Sequence, residues 1–274
     1  MDATGVPLPA PSEGERGDPA RIAEIQQLKA RGEQGDLAAQ RELFSLYSDE
    51  DGAAEDQKEA VVWLKKLVEH GGAGDQLELA QRYYSGNGAP VNRGRGAKLL
   101  EAAAEQGNAE AQMQLGRVYA SQGLGVLRNI ETAILWLRRA AEQGNVEAQN
   151  NLGAIYGTGR DVEADFEESL KWFRLAAGHG HVKAQANLAV MYSEGMGVEK
   201  DPVEAERWYR AAAQDDPGAQ LELARRYDNG QVVRKDPVEA VEWYTRAADA
   251  GIADAQLQLG RIYTTGEVVS ENPA

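Results

Sequence analysis

Polar and apolar positions recur along the chain in a fixed order. Gln40, Gln76, Gln112, Gln149, Gln185, Gln220 and Gln256 stand 36, 36, 37, 36, 35 and 36 residues apart. Three residues after each comes a leucine (Leu43, Leu79, Leu115, Leu152, Leu188, Leu223, Leu259), and seven after comes a tyrosine (Tyr47, Tyr83, Tyr119, Tyr156, Tyr192, Tyr227, Tyr263). Steps of three and four place these side chains along one side of an α-helix, helix A. The residue after each leucine is small in most units (Ala80, Gly116, Gly153, Ala189, Ala224, Gly260), which lets a neighbouring helix approach closely; Phe44 breaks the rule in the first. A second apolar pattern at the same period predicts helix B: Trp63, Leu99, Trp136, Trp172, Trp208 and Trp243, each followed by another bulky apolar residue. Pairs of alanines follow, such as Ala140 and Ala141 or Ala176 and Ala177, so one face is bulky and then small.

The punctuation agrees with these periods. Asp201-Pro202 and Asp236-Pro237 read as an N-cap followed by proline in the first turn of helix B. Gly71, Gly107, Gly144, Gly180 and Gly251 stand where a left-handed residue ends it. Between A and B lie glycine-rich loops such as 85–91 and 193–200. Self-similarity at this period predicts an all-α fold, a right-handed α/α solenoid superhelix of tandem helix-turn-helix repeats of about 36 residues.

Written as a motif, the unit is A-Q-x-x-L-G-x-x-Y, a G-x-G-V loop, then D-x-x-x-A-x-x-W-x-x-x-A-A-x-x-G, seen well in residues 147–180. This resembles the Sel-one-like repeat, a relative of the tetratricopeptide repeat, over roughly residues 36–274. Departures are local: Asp75 replaces the alanine before Gln76, Leu99 replaces a tryptophan, and the stretch 214–217 replaces a glycine turn with one residue fewer. The resemblance implies an adaptor without chemistry of its own, with the A helices lining a concave surface.

Residues 1–17, rich in Pro, Gly and acid and lacking a signal peptide's cationic start and apolar stretch, read as a disordered tail. Residues 18–274 read as a single array: an N-terminal half-repeat, six full helix pairs, and a final unpaired helix with the start of a next repeat. Residues 266–274 align with 230–238, which lead into helix B of the preceding unit, yet only Ala274 follows Asn272-Pro273. The expectation is a longer array, or an end covered by a partner or by self-association with a second copy.

Composition narrows the function classes. No apolar run approaches the ~20 residues that cross a bilayer, and mean hydropathy is −0.54. There are no cysteines, which excludes disulfides and thiolate metal sites. The cytoplasm is favoured, with a periplasmic or secreted mature form left open. The net charge of −15 repels a phosphate backbone, so nucleic acid is a poor partner.

Enzyme and cofactor chemistry finds little support. Three histidines occur; His179 and His181 straddle Gly180 in a turn, where capping is the simpler role than metal binding. Gly86-x-Gly88 and Gly94-x-Gly96 lack the preceding strand and following Lys-Ser/Thr of a phosphate loop and read as repeat turns. The tryptophans, one per repeat in phase with alanines, read as core. The repeated glutamine reads as satisfying backbone groups at the B-to-A turn. No cofactor and no metal is expected.

What remains on helix A is an exposed stripe. Two residues after each glutamine stand Glu42, Glu78, Gln114, Asn151, Asn187, Glu222 and Gln258; three further on come Gln81, Arg117, Arg225 and Arg261 among others, with Arg226 beside them. Such a ladder could hydrogen-bond the main chain of an extended peptide. Exposed helix positions also favour Glu, Gln and Asn without a ligand, and the two readings stand side by side. Glu42, Glu78 and the run Asp49-Glu50-Asp51 make one end acidic, and Arg225, Arg226 and Arg261 make the other basic, which would orient a bipolar ligand. The expected function is a non-enzymatic scaffold or adaptor holding a peptide or protein. The alternative is an acidic inhibitor or immunity protein neutralising a basic enzyme such as a toxin.

Overall fold

A computed structural model describes residues 19–48, 53–230 and 234–265. The expected tail over 1–17, the acidic run 49–51 and the interrupted repeat at 266–274 lie outside them. The described residues form fourteen helices and no strand: α1 (Pro19–Glu33), α2 (Leu37–Tyr47), α3 (Ala54–Glu69), α4 (Ala73–Ser85), α5 (Arg93–Glu105), α6 (Ala109–Ala120), α7 (Ile130–Glu142), α8 (Val146–Thr158), α9 (Phe166–Gly178), α10 (Val182–Glu194), α11 (Pro202–Ala212), α12 (Pro217–Asn229), α13 (Pro237–Asp249) and α14 (Ala253–Thr265). The even-numbered helices are A helices and the odd-numbered ones B helices. The chain forms two compact units that divide after Gln143.

Helix ends follow from short polar side chains. Asp201 and Asp236 each accept two backbone N–H groups of the first turn, with proline at the first helical position. Asn108, Asn145 and His181 cap α6, α8 and α10, each accepting one backbone N–H of the first turn. Gly71, Gly107, Gly144, Gly180 and Gly251 all take positive φ just past a B helix. The turn that lacks a glycine leaves α11 through Ala213 in the right-handed region, and Asp216 caps α12 instead. Where Asp75 stands for alanine, Arg41 covers its carboxylate from α2 at 3.0 and 3.2 Å.

The leucine three residues into the motif is fully buried in α2, α6, α8, α10 and α12. Beside it the small residue forms a notch, filled by the bulky residue after each tryptophan. A Cβ on Gly116 would lie 2.6 Å from Leu137 Cγ, and one on Gly153 would lie 2.6 Å from Phe173. The tryptophans are core, as expected, although Trp208 is only half-buried. Three of their indole N–H groups find acceptors one turn back: Trp172 donates to Glu168, Trp208 to Glu204 and Trp243 to Glu239, at 2.9–3.1 Å.

The repeated glutamine has the structural task expected of it. Nε2 of Gln40, Gln112, Gln185 and Gln256 donates to the carbonyl eight residues earlier, at the end of the preceding B helix, at 2.9–3.4 Å. In the first unit the amide oxygens of Gln76 and Gln112 also accept from Gln106 and Gln143, linking successive turns. These bonds close carbonyls that a helix end leaves without intrahelical partners.

One expectation is corrected. Gly94 and Gly96 are not a turn; they lie in the first turn of α5, because Asn92 caps there and accepts from Arg95 N. Gly96 is small because the Tyr84 ring occupies the space a Cβ would fill, with Cε2 2.8 Å away. Gly88, by contrast, is a true repeat turn. Like Gly125 and Gly197, it takes positive φ and presses on a carbonyl near the start of the preceding B helix. The second glycine of the G-x-G loop is thus set both by conformation and by contact.

Candidate functional site

The stripe read from the sequence lies on the A helices, half-buried in most repeats: Glu42 on α2, Glu78 and Gln81 on α4, Gln114 and Arg117 on α6, Asn151 on α8, Asn187 on α10, Glu222, Arg225 and Arg226 on α12, and Gln258 and Arg261 on α14. Part of it converges on cavities between successive A helices. In the first unit a cavity of about 390 Å³ between α4 and α6 is lined by Gln81, Tyr84, Ser85, Leu100, Gln114, Arg117, Val118 and Leu124. Next to it, between α2 and α4, a polar cavity of about 320 Å³ shares Gln81 and Ser85 and adds Glu78 and Arg82. In the second unit a cavity of about 160 Å³ between α8 and α10 includes Asn187, Val190, Met191 and Met196.

These three cavities occupy the same place in the repeat. Counted from the glutamine of its own helix, the floor position six residues on is Arg82, Val118 or Met191, and the rim position five residues on is Gln81, Arg117 or Val190. The stripe supplies the rims. Sequence reasoning missed the floors and the side walls, Tyr84, Ser85, Leu100, Val118 and Leu124 among them. A signal was present: positions six, eight and nine after each glutamine face the same gap. Tyr84 is an aromatic beside an aromatic, which the core pattern alone does not require.

The wall of the 390 Å³ cavity is held in place. Tyr84 Oη donates to Leu124 O at 3.0 Å and Arg93 donates to Gly123 O at 3.1 Å, so the loop after α6 is fastened over the preceding repeat. Burial pushes the Tyr84 phenol up, with Arg93 opposing.

Side-chain pairing reshapes the charge pattern. Glu78 accepts from buried Arg82 one turn on, at 2.9 Å, and Arg82 also donates to Gln57. Glu222 accepts from Arg226 in the same register at 2.9 Å, and Arg226 stacks on Tyr209 with its guanidinium carbon 4.1 Å from the ring centroid. Arg225 meets Asp254 at 3.1 Å. Glu78, Glu222, Arg225 and Arg226 are therefore engaged within the protein. Among the described residues of the stripe, the cations without a partner are Arg117 and Arg261. For Arg117 the reason is local: three and four residues away stand Met113, Gln114 and Ala120 on α6 and Ser121 just past its end, none a carboxylate.

The histidines serve structure. His179 ends α9, and His181 Nδ1 accepts from Ala184 N while Nε2 lies 2.9 Å from Glu147. Among the described residues no group of three or more His, Asp or Glu side chains could hold a metal ion. No described helix is long and apolar enough to cross a membrane.

The family model of the Sel1 repeat matches residues 37–72, 75–108, 109–145, 146–181, 182–216, 217–252 and 253–274. Among solved structures, a protective antigen present in uropathogenic Escherichia coli strains, displaying an SLR fold, is 34% identical with a TM-score of 0.75. That match covers 88% of this chain, which spans 52% of the antigen's chain, about half its length. A Sel1 repeat protein from Oxalobacter formigenes is 32% identical with a TM-score of 0.67, over 80% of this chain and 88% of its own. No curated protein matches the sequence significantly.

Proposed function

Because the chain belongs to the Sel1 repeat family, whose members generally mediate protein–protein interaction, we propose that it is a non-enzymatic scaffold. It holds a peptide or protein segment against the exposed faces of its A helices. The observation that carries this reading is the recurrence of one cavity at one register, rimmed by stripe residues, in both units. A structural framework has no need of such gaps, since close packing would stabilise it further, whereas a partner's side chains require them. Polar rims around apolar floors suit an extended segment, whose main chain bonds to amides while its side chains descend.

The test is photo-crosslinking in cells, with a benzophenone amino acid placed at position 117 or 187 on A helices, or at Leu135 or Leu175, exposed on B helices. The same partner is expected in adducts from 117 and 187 and not from 135 or 175. Adducts confined to the B-helix positions would overturn the reading. A single basic enzyme, captured in a complex that salt weakens, would favour the inhibitor alternative.

A further inference from the structure

Three equivalent cavities allow the chain to be compared with itself. Between α2 and α4 the floor is Arg82, already satisfied by Glu78 and Gln57. Between α8 and α10 the gap is smaller, partly filled by Met191 and Met196, and the rim carries Val190 rather than a cation. Between α4 and α6 the floor is apolar, with Leu100 fully buried and Val118 nearly so. There the volume is about 390 Å³ and the rim carries Arg117 with no partner. Its wall is braced by Tyr84 and Arg93, so the space is kept open rather than available for collapse.

Arg117 is thus an unpaired guanidinium at the rim of an apolar hole, in a chain of net charge −15. It selects a ligand that is acidic next to an apolar group. Resting on the scaffold reading above, we propose that the cavity between α4 and α6 is the anchoring subsite: it takes a Leu-, Met- or Phe-sized side chain of a partner segment whose neighbouring carboxylate pairs with Arg117. In an extended segment successive residues advance about 3.3 Å and alternate sides, so a carboxylate one or two residues from the apolar anchor reaches the rim. Gln81 and Gln114 stand at the same rim to meet the segment's main chain. The carboxylate is that of an Asp or Glu side chain, because Gln81 on α4 and Gln114 on α6 offer main-chain partners to a segment that runs past the cavity rather than ending in it.

The probe is a displayed random peptide library selected on the full chain. Enriched peptides are resynthesised with free and amidated C-termini and titrated by fluorescence anisotropy. They are expected to carry an apolar residue within two positions of a carboxylate. Arg117→Glu and Ser85→Trp, both at exposed positions, are each expected to leave the melting curve unchanged. Each should weaken binding about tenfold or more, equivalent to about 1.4 kcal/mol. Replacing the peptide's acid by lysine should restore affinity for Arg117→Glu. Binding that survives amidation supports the side-chain carboxylate, and loss of binding on amidation alone would place the carboxylate at a chain terminus and overturn that assignment. Peptides that bind yet ignore both variants, or that are basic at the anchor, overturn the subsite while leaving the scaffold reading standing. A library that yields no binder overturns both.

Discussion

Trp63→Ala is expected to destabilise the first unit by about 3–5 kcal/mol, the range for deleting a buried aromatic side chain that its surroundings cannot refill. Trp63 is 2% exposed and clusters with Leu28 of α1 and with Ala39 and Leu43 of α2. Its ring takes the space a Cβ on Gly32 would need, with Cζ3 2.7 Å away. The substitution therefore loosens α1, α2 and α3 together. The Trp63 indole N–H lacks an acceptor, while Glu59, one turn back, is paired with Lys29 at 2.5 Å. Trp63→Phe removes that unpaired donor and keeps most of the ring, so it should cost far less than alanine. Urea denaturation separates the two; equal, unshifted midpoints would contradict the core assignment.

Gly197→Ala is expected to cost about 2–6 kcal/mol, although it adds one methyl group. Gly197 has φ near +69°, where a Cβ is strained, and that Cβ would lie 2.4 Å from Phe166 O. The conformation alone costs about 1–3 kcal/mol, and moving backbone out of a closed contact adds about 1–3 kcal/mol. Gly178→Ala is the control: it lies in α9 with nothing within 4 Å of its Cβ position, and should stabilise by up to about 1 kcal/mol. Thermal melts of both variants check the pair. A Gly197→Ala protein as stable as Gly178→Ala would show that the loop does not press on the preceding repeat.

How far the sequence carries the structure differs from feature to feature. The phase of Gln, Leu and Tyr located every A helix, because a repeat presents the same face to its neighbours and errors in one unit are corrected by the others. Capping by Asp201 and Asp236 was legible because it is local. Gly94 and Gly96 were misread because Asn92 starts α5 earlier than a glycine-rich stretch suggests, and the reason for Gly96 is a ring from another helix. The stripe's rim residues could be located, since exposed periodic positions are what remains after the core is removed. Its charge state could not. Arg82 with Glu78 follows a helix spacing, but Arg225 with Asp254 depends on how α12 and α14 stand to one another. Cavities were invisible for the same reason: Leu124 reaches α4 only through a loop whose path Tyr84 fixes.

Hydrogen–deuterium exchange of the full chain, alone and with the partner recovered by crosslinking, tests most directly the claim that the A-helix face is the working surface. Bound partner should slow exchange in α4, α6 and the loop at 121–129, with the largest change around Tyr84 and Leu124, and leave the outward faces of α5 and α7 unchanged. Protection confined to the B helices, or absent from α4 and α6 while the complex persists, would contradict it.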